Sequence, residues 1–469
     1  MIQFDQIPSS IRKPGKYFEF NTKLAVRTLP QNRQRLLIIG PLLATAQVAE
    51  KIPYDVYSDT DAAAYFGAGS ILHLMAKAAI KANPYVALTG IGLADSVGGV
   101  AAAGSITVDG AATASGTLTL WVGYQYLEVL ITTAATANAI ATAINAAINA
   151  AYGLPVTSTV SGAVVTVTAQ NKGTVGNGIS LAVDVTNFCV STTVAQLSTG
   201  SGDPDIQDAL DAVFSTQYHI YATPWGNQTS LGILKTQLDT ISNAIEQKPG
   251  IGVYGFNLTL SGATTLAGEI NSGRICCAYL RGTRSIPGEV AAAFAATMAF
   301  EEDPARPLNT LELTGIHAPA IVSRLSRTEQ ETCLYNGVTP IEVGPDGVPQ
   351  IVRAITTYTV DADNIADISM LDVTTIRTLD YVRKACRERI ALRFPREKLN
   401  DATIKSVRSE LFDVLYRLQE LQIVENVDVN KDGLVVERNG QDPNRIDAKI
   451  PTDVVNGLHV FAGRIDLIL

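Results

Sequence analysis

Four histidines, His73, His219, His317 and His459, are the side chains best suited to metal or acid–base chemistry in this chain. A metal site needs imidazoles at ligand spacing or set beside carboxylates, and none of the four has such a neighbour. The spacing predicts satisfied core or surface roles, with His73 on a helix and His219 on a strand. No G-x-S-x-G elbow is present, and no serine stands out as a nucleophile. The glycine clusters Gly67-Ala68-Gly69, 173–178 and Gly250-Ile251-Gly252 resemble parts of phosphate loops. None joins a G-x-G-x-x-G to a strand end and a helix start, and no Gly-Lys-Ser/Thr follows, so they read as turns. Residues 428–433 match the first half of a calcium loop, but Asn439 stands where the twelfth position requires a bidentate Glu. A polar hairpin turn fits that segment better. The chemistry-bearing residues therefore point to no catalytic site, no cofactor and no metal.

Cys189, Cys276, Cys277, Cys333 and Cys386 are odd in number, include an adjacent pair and form no C-x-x-C. That pattern fits neither a disulfide framework nor a zinc site and predicts buried, reduced thiols in a cytoplasmic product. With 46% apolar and 17% charged residues, the 469-residue chain is rich enough in apolar side chains for several cores, two to four domains by length. A net charge of −9 argues against a protein that coats nucleic acid. Apolar runs are short: Leu36-Leu37-Ile38-Ile39 stops at Gly40-Pro41, far from the roughly 18 residues of a membrane span. The opening residues lack a basic and an apolar region, so the expectation is a soluble, unsecreted protein.

The elements that must position these residues follow from periodicity. Residues 34–40 read as a buried strand, 70–81 as a helix and 84–89 as the next strand. A helix is expected to open at Asp203-Pro204-Asp205 and run to about 214. It is followed by a strand at 218–222, a helix at 231–247, strands at 252–258 and 276–280, and an Ala-rich helix at 289–300. Strands alternating with helices predict an α/β core. From about 305 the pattern becomes hairpins over 337–359, with Pro345-Asp346-Gly347 as the turn. Long helices follow at 372–394 and 401–422, then two strands around Asp432-Gly433, in an α+β C-terminal domain.

One stretch interrupts this core. From 96 to 201 the only charged residues are Asp109, Glu128, Lys172 and Asp184, which marks a self-contained insertion. Residues 105–108 alternate and end at Asp109-Gly110, a hairpin-type turn. Residues 117–122 and 124–132 predict paired strands around Gly123. Ile140, Ile144 and Ile148 give one apolar stripe on a helix over 136–151, stopped by Gly153 and Pro155. Strands at 156–160 and 164–168 follow, and 179–185 closes a small α+β sandwich.

Both ends and the late helix suggest assembly. Residues 17–20 (Tyr17, Phe18, Glu19, Phe20) form a short strand-like segment. The chain ends on 460–469, with Val460, Phe461, Ile465 and Leu467 among its apolar residues. An apolar strand at a terminus needs an edge to pair with, in its own sheet or in a neighbour's. On the late helix Ile376, Leu379, Val382, Cys386, Ile390 and Phe394 form a buried stripe. Between 375 and 398 the basic residues exceed the acidic by 5 in a chain of −9. Arg377, Lys384 and Arg387 lie away from the centre of the stripe. They form either a solvated face laced with pairs such as Asp380–Lys384, or a docking face for an acidic partner.

Three stretches carry a family resemblance. They are 4–15 (Phe4-Asp5-Gln6-Ile7-Pro8-Ser9-Ser10-Ile11-Arg12-Lys13-Pro14-Gly15) with Tyr17 and Glu19-Phe20, Arg35-Leu36-Leu37-Ile38-Ile39-Gly40, and 371–382 (Leu371-Asp372-Val373-Thr374-Thr375-Ile376-Arg377-Thr378-Leu379-Asp380-Tyr381-Val382). Arg387-Glu388-Arg389-Ile390 and Phe394-Pro395-Arg396-Glu397-Lys398-Leu399 extend the last. Together they resemble the tail sheath proteins of contractile bacteriophages, especially the Mu-like type. The resemblance implies a structural subunit, not an enzyme. Its core would be subtilisin-like in fold only. It would polymerise with itself as stacked hexameric rings around the tail tube protein, meet baseplate and tail terminator proteins, and contract to drive the tube through the host envelope. Nucleic acid and membrane insertion have no role in this. The expected location is the virion tail, assembled in the host cytoplasm.

By the same resemblance the chain divides into an N-terminal linking arm (1–30), a first core segment (31–95), an outward-projecting insertion (96–201), a second core segment (202–304), a tube-proximal C-terminal domain (305–456) and a linking strand (457–469). Tyr17 to Phe20 and Val460 to Leu467 would be inter-subunit strands, and Arg377, Lys384 and Arg387 would face the tube. A sheath from a related bacteriocin or secretion machine would share these mechanics. A phage adhesin or decoration protein would account for the insertion but not for both arms.

Overall fold

The computed structural model describes residues 12–18 and 29–468. They divide into two compact units: 32–380 with the segment from 454 onward, and 381–453 with the N-terminal segment up to 31.

The first unit is built on β1 (Arg35–Pro41), whose side chains from Leu36 to Ile39 are all fully buried. A run apolar at every position, not at alternate ones, is what a strand needs when both sheet faces are covered. After β2 (Pro53–Val56) come α1 (Asp59–Phe66) and α2 (Ile71–Ala82), capped by the side chains of Ser58 and Ser70. β3 (Ala87–Leu93) starts three residues later than the sequence predicts and pairs in parallel with β1.

Past the insertion, α4 (Gln207–Ala212) precedes β11 (Ile220–Thr223), α5 (Gln228–Ser242), β12 (Ile251–Phe256), α6 (Leu260–Ile270), β13 (Ile275–Tyr279), α7 (Pro287–Phe300), α8 (Arg327–Tyr335), β14 (Thr339–Val343) and β15 (Pro349–Ile351). The eight-stranded sheet has the order β15-β14-β13-β12-β11-β1-β3-β2. Its pairs are parallel except β14–β15 and β2–β3 at the two ends. The β14–β15 hairpin turns where the sequence places it, with Gly347 at φ 79°.

Two glycines of β12 show how closely helices approach from both sides. A Cβ on Gly252 would meet Leu234 and Leu238 of α5, and one on Gly255 would lie 1.9 Å from the carbonyl oxygen of Pro287 in α7. Positions three apart on a strand point to opposite faces, so α5 and α7 cover opposite sides of the sheet. α7 is buried almost all round, and its alanines let α2 pack closely against it. α6 has no counterpart in the sequence reading. Its stripe of Ala263, Leu266, Ala267 and Ile270 is broken by small residues, and Thr259 supplies the N-cap. The helix expected at Asp203 starts only at Gln207, because the Asp203 carboxylate accepts from Thr174 N (2.6 Å), Thr174 Oγ1 (2.6 Å) and Asn227 Nδ2 (3.0 Å) instead.

The insertion carries β4 (Ala101–Val108), β5 (Gly116–Val122), β6 (Gln125–Ile131), α3 (Ala137–Ala150), β7 (Val156–Ser161), β8 (Val164–Lys172), β9 (Leu181–Val185) and β10 (Thr192–Ser198). It forms two sheets, β10-β4-β8-β7 and β6-β5-β9, with α3 against β6 and β7. The β5–β6 and β7–β8 hairpins and the stripe Ile140, Ile144, Ile148 are as the sequence predicts. The hairpin expected at Asp109-Gly110 is not formed. β4 pairs with β8 and with β10, a strand the sequence reading lacked, and Asp109 accepts from Ser191 and Thr193 beside β10. β10, not β9, closes the unit.

The insertion is fastened to the core at several places. Asn171, 2% exposed, donates to the Leu42 carbonyl (3.0 Å) and to Asp95 (3.2 Å), and accepts from the Ile71 N–H at the start of α2 (3.0 Å). Gly69, at φ 87°, leaves room for the Leu154 carbonyl where a Cβ would stand 2.1 Å from it. The Arg284 guanidinium lies 4.4 Å over the Trp121 ring.

α9 (Val373–Arg393) begins in the first unit and ends in the second, and is followed there by α10 (Asp401–Glu420), β16 (Val424–Glu425), α11 (Val427–Asn430), β17 (Val435–Arg438) and β18 (Ile446–Lys449). In the second unit Val382, Ala385 and Cys386 of α9 are buried, as are Val407, Leu411, Val414 and Leu418 of α10. Arg389, also buried, is neutralised by Glu410 (3.1 Å) and Asp413 (2.7 Å) from α10. The polar turn expected at 428–433 is a helical turn, with Val427 buried and Asp428 accepting from the Tyr416 hydroxyl. The hairpin expected there lies later, between Arg438 and Ile446.

Candidate assembly segments and surface cations

The C-terminal segment leaves the first unit as extended chain. Residues 460–468 are all exposed and carry no strand pairing, with Phe461 at 87% and Ile465 at 99% exposure. Arg464 Nε bonds within the segment, to Asp466 at 2.7 Å. Val460, Phe461, Ile465 and Leu467 therefore meet no sheet edge among the described residues. Residues 12–18 are likewise exposed; the Tyr17 hydroxyl donates to the Lys13 carbonyl (3.0 Å), and Phe18 is 88% exposed. Glu19 and Phe20 lie outside the described residues.

The three cations expected on one surface do not share one environment. Arg377 is a correction to the sequence reading: it is 6% exposed, and its Nη2 donates to the Glu301 carbonyl at the end of α7. Burial pushes its pKa down to about 10, against the pull of Glu301 and Asp303. A guanidinium covered in this way is no surface charge. Lys384 is half-buried, and its ammonium donates to the Gln31 carbonyl (2.7 Å), beside the Tyr381 hydroxyl on the Pro30 carbonyl (2.9 Å). Arg387 is exposed. Asp380 gives its carboxylate to Arg274 in a two-pronged pair at 2.8 and 3.0 Å, not to Lys384.

A further feature of the second unit escaped the sequence reading. β17 and β18 form a sheet with two strands among the described residues, so neither pairs with a further strand there. Beside it runs a groove of 460 Å³ lined by Cys386, Ile390, Phe394, Leu411, Ile446 and Ala448, with Arg387 at its wall. The alternation Ile446-Asp447-Ala448-Lys449-Ile450 was the signal for it.

All four histidines act as acceptors at Nδ1. His73 receives the Gly69 N–H (3.1 Å), His219 that of Arg35 (3.1 Å), His317 that of Arg284 (3.3 Å) and His459 the Asn309 amide (2.9 Å). The last three thus hold distant pieces of chain together. All five thiols are buried, and burial pushes those of Cys276, Cys277, Cys333 and Cys386 upward.

The described surface thus combines an exposed apolar segment at 460–468 with, in the second unit, a two-stranded sheet beside an apolar groove. Residues 199–357 match the phage tail sheath protein central domain, and 366–468 match the phage tail sheath C-terminal domain. The whole chain is 31% identical, over 491 aligned residues covering 100% of both proteins, to the Mu-like prophage FluMu tail sheath protein of Haemophilus influenzae.

The chain belongs to the phage tail sheath family.

Its architecture agrees with solved sheath proteins. That of Desulfitobacterium hafniense has a TM-score of 0.52 at 16% identity, covering 95% of this chain and 97% of its own. That of Listeria innocua has a TM-score of 0.52 at 13% identity, covering 92% and 94%. The PVC sheath of an extracellular contractile injection system, solved in its contracted state, has a TM-score of 0.50 at 12% identity over 98% and 99%. The mixed α/β, multidomain fold expected from the sequence is thus that of a sheath protein, a structural component of contractile tails.

Proposed function

We propose that this sheath protein polymerises as stacked sixfold rings around a tail tube, and that contraction of the polymer drives the tube through the host envelope. Assembly takes place in the host cytoplasm, with the baseplate and tail terminator proteins bounding the polymer in the virion tail. The observation that carries the reading is the extended, wholly exposed apolar segment 460–468. In a dispersed monomer such a segment leaves apolar surface in water; as an added strand it gains backbone hydrogen bonds and buries that surface. The β17–β18 sheet and its groove offer a matching acceptor on a neighbouring copy. Tyr17 and Phe18, both exposed, belong to the second linking segment. Links made of strands let rings turn on one another without separating, so contraction needs only an extended state held above a lower-energy packing, and no nucleotide.

In this reading the insertion projects outward from a core that is subtilisin-like in fold only. The exposed end of α9, with Arg387 and Lys384, faces the tube; Arg377 plays no role there. Truncation after His459 tests the arm. The expected product is a folded subunit, with an unchanged thermal melt, that forms no tubes under negative-stain electron microscopy. Sheaths of ordinary length from that truncation would sink the arm model.

A further inference from the structure

Three of the four histidines bond inside the body of the first unit. The fourth stands at its margin, where the chain passes from anchored to free. Gly457 lies against Pro307, so closely that a Cβ would come within 2.6 Å of its ring. His459 follows with a side chain 16% exposed, Nδ1 2.9 Å from Asn309 Nδ2 and Nε2 3.6 Å from Asp372 Oδ1. Asp372 is itself held by Arg353 through bonds of 2.9 and 2.7 Å. From Val460 onward every described residue is exposed. Asn456 and Leu458 are already exposed, and His459 is the last described residue that is not.

We propose that His459 is a positioning residue for the C-terminal arm: seated between Asn309 and Asp372, its imidazole fixes the point and direction in which the arm leaves the subunit. This rests on the arm reading above. Ten residues lie beyond the clasp, an extended reach of roughly 33 Å. A tail tethered at a fixed point searches a smaller volume than one that peels back toward residue 454. The clasp therefore raises the local concentration of the arm at its acceptor and lowers the ordering cost of pairing.

The test uses the full chain with three changes made separately: His459→Ala, His459→Asn, whose Oδ1 can stand in for Nδ1, and truncation after His459. Hydrogen exchange of residues 455–459 is read in the monomer, and the critical concentration for tube formation by light scattering. His459→Ala should speed exchange at 455–459 and raise the critical concentration about tenfold, with the thermal melt unchanged. His459→Asn should restore most of both. Unchanged exchange and assembly in His459→Ala, beside a truncation that abolishes tubes, would overturn the clasp and leave the arm reading standing. Normal tubes from the truncation would remove the arm reading, while the exchange rates still decide whether His459 holds the segment. If His459→Ala unfolds, Asn309→Ala removes the same hydrogen bond from the other side and is read in the same way.

Discussion

Glu289 and Arg377 are both ionisable groups that the fold withdraws from water, and their pKa values move in opposite directions for the same reason. Glu289 accepts the Ile286 N–H (2.8 Å) at the start of α7, and desolvation raises its pKa to about 7 although Lys77 and Lys81 pull the other way. A carboxyl whose folded pKa is raised contributes stability while protonated. That contribution is complete below the unfolded pKa near 4.5 and is lost as pH rises through 7. Glu289→Gln keeps the acceptor and removes the charge. It should stabilise the protein at pH 8 by on the order of 2 kcal/mol, with the gain vanishing by pH 4, as read from denaturant midpoints at the two pH values. Equal midpoint shifts at both would show that the charge is not at issue. Arg377 shows what a helical wheel leaves out. Its position away from the apolar stripe was legible, and on the isolated helix it shares a face with Lys384. The covering carbonyl comes from Glu301, 76 residues away, and no local pattern contains that contact.

At the scale of elements, the features readable from sequence are those stabilised by their neighbours in the chain. The β5–β6 hairpin follows from β-branched runs around Gly123, and α3 from isoleucines four apart. The partners of β4 were not legible, because β8 and β10 reach it across intervening elements and Asp109 binds hydroxyls near β10 instead of closing a tight turn. The same holds for Asn171, an asparagine past the strand expected at 164–168. In the fold it joins the chain after β1, the first turn of α2 and Asp95. Asn171→Ala leaves the Ile71 N–H and the Leu42 carbonyl without this partner in a buried place. The expected loss is about 2–3 kcal/mol, seen as a lower unfolding midpoint together with faster hydrogen exchange at the start of α2. Loss of stability without faster exchange at Ile71 would place the damage elsewhere.

At the scale of the whole molecule, the surfaces proposed for assembly differ in how far the sequence shows them. The apolar residues of 460–468 could be read directly, and their exposure is what the structure adds. The groove beside β17–β18 could not, because those strands were expected around Asp432-Gly433 and the groove draws on α9, α10 and β18 together. Replacing Lys384 and Arg387 by Gln should weaken co-assembly with the cognate tube several-fold at about 50 mM salt and little at about 500 mM, because a longer Debye length lets the charges act further. A salt series in which mutant and native tube binding coincide would return this helix to an intramolecular role.

The insertion's attachment to the core has a practical result. Asn171, Asp203, the close passage of Leu154 over Gly69 and Arg284 over Trp121 fasten it at several points, so it follows the sheet as the hand of a dial follows its spindle. A fluorophore at Tyr152, exposed at the end of α3, therefore reports the orientation of the eight-stranded sheet and not the wobble of a linker. Polarised emission from such a label would show whether each subunit turns as the proposed contraction requires, and by what angle, with no mark placed at either terminus.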